Sequence, residues 1–427
     1  MRLSGPCLIL ALILLTAGCV SVQSPPLAAA SLEEVAEAPP LIVSLYPFLD
    51  DVNEDDHART IALLTRRYEE KYPDDRVEIF IDPAKSLYFE NSLNLSASFE
   101  AADADLLEVE QTELDNLIAG GYIRPFATDS QSEQQMLREN LRGVVGPYRD
   151  IGVKGGMVYF VPTWLCAFYT FERSPPGTAP MAADFSSVMV LPDLYLSSYA
   201  SAYGTDPALL DAAIIDAAAG APDPGVIAAL SERFSACTGT SGENLCMDGY
   251  YLEHDTAAEE FGAGMTDRYV GYSEMLYRIL KSNPAVRNQS IQITGTPFGR
   301  DPAPSLAWVD GFVINKHTSQ KKMDQAIRFI DFYNSPEVKE MIALSLDTDP
   351  ARPLVPRYLL PASEEFYALP SVRDDPYYRQ FYPVIRNMTP FPTGGLRGSM
   401  IPIYCYVTDA LSETGLDVNR QVCAAGG

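Results

Sequence analysis

Cys166 is the residue in this 427-residue chain whose chemistry most needs an account. Of the seven cysteines, Cys7 lies in an apolar leader and Cys19 follows the small residues Ala17 and Gly18. Cys237 and Cys246 lie close together in a polar region, and Cys405 and Cys423 lie close together near the C-terminus. In an oxidising compartment each pair can close a local disulfide; sequence does not fix connectivity, and local pairing is the simplest choice. Cys166 is then left over, alone in the apolar run from Val161 to Tyr169. As a structural residue it would be a packed core thiol, since cysteine is among the most often buried residue types. As a reagent it would be a nucleophile at a cleft, which requires a base or a local field that yields thiolate. The chain has three histidines, His57, His254 and His317, and none lies in a segment that looks catalytic. A Cys–His dyad is therefore disfavoured, and the base expected is a carboxylate raised by burial.

The leader supplies the oxidising compartment. Arg2 and the apolar run Leu8 to Leu15 make an export signal too short to span a bilayer as a mature helix. Leu15-Thr16-Ala17-Gly18-Cys19 resembles a bacterial lipobox, although Thr16 stands where leucine is commoner. A plain secretory signal with an incidental Cys19 is the alternative. The expectation is a signal peptide over 1–19 and a periplasmic or cell-surface protein anchored by lipid on Cys19. Residues 20–40, rich in Ala, Pro, Ser and Glu without aromatics, read as a flexible tether. The rest is long enough for two ordinary domains. Lysine and arginine total 31 against 57 aspartate and glutamate, a formal charge of −26. Such a field repels nucleic acid and anionic lipid and favours neutral or cationic small ligands.

Several elements can position the thiol. Leu41 to Tyr46 reads as a strand ending at Pro47, and His57 to Tyr72 as a helix closed by Pro73. Val77, Ile79 and Ile81 alternate as a strand, Asp105 to Val109 reads as another, and a helix through Leu114 and Leu117 stops at Gly120-Gly121. This alternation predicts α/β architecture. Gly155 to Pro162 reads as a turn and a strand ending at the proline. Trp308 to Asn315 reads as a strand, followed by a helix from about Lys322 to Tyr333 carrying Ala326, Phe329 and Phe332. Gly204 to Gly225, Ala-rich with Pro222 and Pro224, reads as a surface helix and loop. The order of these later segments resembles solute-binding proteins, which implies a two-lobed, type II periplasmic-binding-protein-like fold with an interlobe cleft. The lobes expected are 41–160 with 311–350, and 161–310 with 351–427.

The segment Tyr159 to Arg173, with Tyr159, Pro162, Leu165, Cys166, Phe171 and Arg173, resembles the thiaminase I segment that bears the catalytic cysteine. Gly271-Tyr272-Ser273-Glu274 resembles that family's motif carrying the glutamate that activates the cysteine. Val309-Asp310, on an apolar strand ending in Asn315, resembles the strand with an active-site aspartate. Leu45-Tyr46-Pro47-Phe48 resembles the segment holding a tyrosine near the pyrimidine, and Gly121-Tyr122 with Pro125-Phe126 matches a further landmark. The similarity spans about Leu41 to Leu360 in patches, with little to align between Arg173 and Tyr250 or beyond Leu360. It implies a two-step substitution on thiamin in a monomer needing no cofactor or metal. Cys166 adds to the pyrimidine, Glu274 moves the proton, the thiazole leaves, and an amine or thiol co-substrate takes its place. Asp310 would hold the aminopyrimidine, with Tyr46, Tyr272, Glu110 and Asp82 as further substrate-binding candidates and Tyr88 near another pocket position. Glu110 stands where the family carries aspartate.

Each of these residues also has a plainer role. Glu274 would be a solvated first-turn carboxylate with Ser273 as N-cap, and Asp310 before Gly311 would mark a bend. Tyr46 would be a strand-end core aromatic and Tyr272 would pack on the following helix. A helix N-terminus lowers a carboxyl pKa while burial raises it, and sequence alone does not decide between them. The competing function is a non-catalytic lipoprotein delivering thiamin or a related molecule to an ABC importer. Fold, signal and charge suit it equally, and only Cys166 with Glu274 separates the two.

Overall fold

The computed structural model describes residues 39–46, 57–82, 87–88, 95–174, 179–239, 242–254, 256–283, 286, 291–296, 306–351, 353–416, 418–419 and 423. The leader, Cys19, the tether before residue 39, and Pro47-Phe48 lie outside the described residues. From Pro39 onward the chain is built on two principal sheets within one compact unit.

In the large sheet the strands run in the order Leu360–Pro361, Val161–Cys166, Leu306–Asn315, Leu106–Glu110, Leu41–Ser44 and Val77–Phe80. Leu41–Ser44 pairs in parallel with both Val77–Phe80 and Leu106–Glu110. Leu41, Val43, Leu106 and Val109 have no exposed surface, as an inner strand covered on both faces requires. Leu306–Asn315 is buried at every residue but the last and pairs antiparallel with Leu106–Glu110 and Val161–Cys166. The helix Gln320–Tyr333 starts where the Ser319 hydroxyl accepts from the Lys322 amide. Its buried Met323, Ala326, Ile327, Phe329, Ile330 and Tyr333 recur at helical spacing, so one face is apolar.

The small sheet runs Ile291–Gly295, Tyr169–Arg173, Arg268–Gly271 and Met181–Ala182. Only Ala167 and Phe168 separate Cys166, the last residue of its strand in the large sheet, from Tyr169, the first in the small one. The large sheet takes in 161–166 and all of 306–315, so both connecting strands are anchored on that side.

One expected strand is different. The strand expected to end at Pro162 is two: Met157–Val158 pairs with Val153–Lys154, and Val161–Cys166 runs through the proline. Pro162 faces Gly311 where the register shifts between Asp310 and Gly311. A proline has no N–H to give, and a bulge is where a ladder tolerates that loss. Gly311 is required by close approach, because a Cβ there would lie 2.5 Å from the Val161 carbonyl oxygen.

Residues 191–234 form three helices, Leu191–Tyr203, Pro207–Ala218 and Pro224–Phe234. Asp206 and Asp223 cap the last two by accepting from Ala208 and Val226 amides, each at 2.9 Å. The Ala-rich helix Pro207–Ala218 buries Leu210, Ala213, Ile214 and Ala217, packing on the long C-terminal helix Leu396–Glu413. Cys237 is bonded to Cys246 and Cys405 to Cys423. Among the described residues no helix is long and apolar enough to cross a membrane.

Candidate active site

The strand Val161–Cys166 ends with Cys166 opposite Trp308, and two residues further along the long strand Asp310 lies opposite Glu110. Side chains alternate along a strand, so Trp308 and Asp310 share one face with their cross-strand partners Cys166 and Glu110. Cys166 is the unpaired cysteine among the described residues and is partly exposed. Glu274 comes from the other sheet: after Arg268–Gly271 the chain turns through Tyr272 and Ser273, and the helix Met275–Ser282 begins. Tyr272 stacks on Phe168 at 5.0 Å and meets Trp308 edge-on at 5.7 Å, while Trp308 stacks on Phe391 at 4.7 Å. Tyr272 therefore packs on the inter-sheet connection rather than only on its own helix.

The electrostatics tie these residues together. Burial pushes the Cys166 thiol well above its usual value, and the charges of Glu274, Asp310 and Glu110 push it further. The resting group is a thiol, and it lies within electrostatic reach of three carboxyl groups. Glu274 is 8% exposed and is itself the N-cap residue, without a side-chain cap bond. Burial raises its carboxyl to about 7, outweighing its backbone amide, the Ser273 hydroxyl at 3.2 Å and the charge of Arg278, all of which pull down. Glu274 is thus not a solvated first-turn residue, and burial prevails over the helix terminus. Asp310 is raised by burial first and then by Glu110, against the Tyr88 hydroxyl that donates to Oδ1 at 2.6 Å. That favours a neutral carboxyl able both to accept and to donate. Tyr46 meets Tyr88 edge-on at 5.7 Å, and its amide donates to Glu108 Oε2 at 2.6 Å. Burial and then the charges of Glu274, Asp310 and Cys166 raise its hydroxyl, so Tyr46 belongs to the same cluster.

Glu110, one of the expected substrate-binding residues, is held by an arginine. Arg397, from the C-terminal helix, grips it with Nε to Oε1 at 2.9 Å and Nη2 to Oε2 at 2.7 Å, and Thr112 donates to it as well. Arg397 Nη1 also lies 3.5 Å from Asp193, whose carboxyl burial raises to about 7 although Arg397 pulls it down. Asp82 is half-buried beyond Val77–Phe80 and is not among the carboxylates that dominate the thiol's surroundings. Among the described residues no group of His, Cys, Asp and Glu is arranged to hold a metal ion.

No family model matches the chain, and no curated protein matches it by sequence. Solved structures do. Thiaminase I from Bacillus thiaminolyticus superposes with a TM-score of 0.64 at 18% identity, over 87% of this chain and 100% of that one. Clostridium botulinum thiaminase I in complex with thiamin gives 0.63 at 16% identity, again over 87% and 100%. The maltodextrin-binding protein MalE1 from L. casei BL23 gives 0.59 at 14% identity, over 88% and 94%. This chain has the two-lobed α/β fold of solute-binding proteins.

Within that fold, the sequence reading missed Glu108, Asp193, Lys339 and Arg397. Glu108 was discoverable, since it stands two residues before Glu110 on an alternating strand. Arg397 and Asp193 come from the regions with least resemblance, and nothing local marks them.

Proposed function

We propose that the protein is a thiaminase I-like transferase acting on thiamin or a related pyrimidine. The observation carrying this is an unpaired cysteine in electrostatic reach of a buried glutamate whose pKa lies near 7. A base with that value is half ionised at neutral pH and can take a proton that the surroundings discourage the thiol from releasing alone. Glu274 removes the Cys166 proton as sulfur adds to C6 of the pyrimidine. The bond from the methylene carbon to the thiazolium nitrogen then breaks, and the thiazole leaves neutral with the bonding pair. An amine or thiol adds to the methylene carbon and releases its proton to solvent, and Cys166 is expelled from C6 and recovers its proton from Glu274. Asp310, supported by Tyr88, binds the aminopyrimidine edge, and Tyr46 and Tyr272 pack the ring. The cationic thiazolium suits a pocket with this excess of carboxylates. The same proposal has the protein exported as a monomer, held by lipid on Cys19.

Incubation of the purified protein with thiamin and an aniline or cysteine co-substrate, followed by mass spectrometry, tests the proposal. The expected product is the pyrimidine joined to the added nucleophile. Saturable thiamin binding with no product and no adduct under any co-substrate would make the protein a carrier instead.

A further inference from the structure

A lysine without a hydrogen bond lies beneath this cluster. Lys339, in the helix Pro336–Ala343, has no exposed surface, and its Nζ meets no acceptor. It sits 3.7 Å from the Trp164 ring centroid and 3.9 Å from that of Tyr333. Those rings are set edge-on to each other, with Trp164 Nε1 donating to the Tyr333 hydroxyl at 3.1 Å. Trp164 lies two residues before Cys166 and pairs with Asp310. An ammonium withdrawn from water without hydrogen bonds is costly, and two aromatic faces offset only part of that. The remainder has to come from a nearby anion, and the carboxyl acting most strongly on Lys339 is that of Glu108. Other acidic groups on its helix and the neighbouring helix Glu364–Ala368 are turned away: Glu337 and Glu365 are exposed, Glu340 accepts from Ser371, and Glu364 accepts from Tyr382. Glu108 is 2% exposed, and its Oε2 takes both the Tyr46 amide and, at 3.5 Å, the Tyr333 hydroxyl.

We propose that Lys339 is a positioning residue whose ammonium, held between Trp164 and Tyr333, keeps Glu108 ionised and thereby fixes Tyr46 in the site. Without that cation Glu108 is a lone buried carboxylate and takes up a proton. The charge-assisted bond to the Tyr46 amide then weakens. Burial already lowers Lys339 to about 7, against the pull of Glu108 and Asp310, so its charge is lost as the solution becomes mildly alkaline.

The kinetic part of the test rests on the thiaminase reading; the spectroscopic part does not. Lys339→Met should raise KM for thiamin about tenfold, the effect of weakening one charge-assisted bond, with a smaller change in kcat. Lys339→Arg should keep a low KM into the alkaline range, because a guanidinium stays charged. Adding Glu108→Gln to Lys339→Met should recover part of the loss, since no lone carboxyl remains. In Trp308→Phe protein, Trp164 emission should titrate near the value for Lys339, lose that titration in Lys339→Met, and shift it downward in Glu108→Gln. An unchanged KM in Lys339→Met overturns the proposal, as does Trp164 emission insensitive to both substitutions. If the wild type turns over no thiamin, the enzyme reading fails while the emission titrations still decide the charge on Lys339.

Discussion

Asp310 and Glu110 face each other across adjacent antiparallel strands, yet the structure treats the two carboxyls differently. Glu110 is bound by the Arg397 guanidinium and Asp310 by the Tyr88 hydroxyl. The charge of Glu110 in turn raises the carboxyl of its neighbour Asp310, after burial. Through its pair with Arg397, Glu110 ties its strand to the C-terminal helix.

Removing that guanidinium should therefore be severe. Arg397→Met leaves the buried Asp193 and the partly buried Glu110 uncompensated, a loss of about 3–5 kcal/mol. The deficit should be larger at pH 8 than in mild acid, where Asp193, raised to about 7, can protonate. Denaturant titration at both pH values measures it, and Arg397→Lys should recover little because it lacks the bidentate fork.

Cys166→Ser should abolish thiamin consumption while calorimetric thiamin binding persists, because other groups hold the ring. With the second nucleophile withheld, intact-mass spectrometry of the wild type should show a pyrimidine adduct on Cys166. Full activity in the serine variant would exclude the covalent route.

Glu274→Gln should lower kcat by roughly 10²–10⁴-fold, the usual worth of a general base. Wild-type kcat should rise with pH through about 7 as Glu274 ionises. A wild-type profile flat across that range would assign the base elsewhere.

The same substitution should stabilise the fold. The folded pKa of Glu274 is raised from 4.5 to about 7, so the native state binds more protons than the unfolded state between those values. Its contribution is favourable below the unfolded value and is lost as pH rises through the folded one. At pH 8 Glu274→Gln should gain about 1–3 kcal/mol over the wild type, with little gain in acid. Thermal unfolding at two pH values checks this, and equal effects at both would refute it.

Cleaving the Cys405–Cys423 bridge by substituting both residues with alanine should cost about 2–4 kcal/mol, as expected for a short closed loop. Cys166 should be the cysteine that takes a thiol label in non-reducing peptide mapping of the mature protein.

The sequence made local features legible. The strand at Leu41, the helix from His57 and the long strand through Asp310 follow from periodicity alone, as does the unpaired thiol from cysteine parity. Pro162 inside a strand was hidden, because its tolerance depends on a bulge in a partner about 150 residues away. Lys339 and Arg397 were hidden for a similar reason: each matters through side chains distant in sequence, and neither carries a local pattern. The pKa of Glu274 was undecidable because helix terminus and burial oppose one another, and only the packed fold sets their balance.

Cys166 ends a strand of the large sheet, and Glu274 follows a strand of the small one, with two residues joining the sheets beside them. The proposed nucleophile and base are thus carried by different sheets of one compact unit. Under the proposed function, the distance the proton has to cross is set by how the two sheets are held against each other, not by either sheet alone.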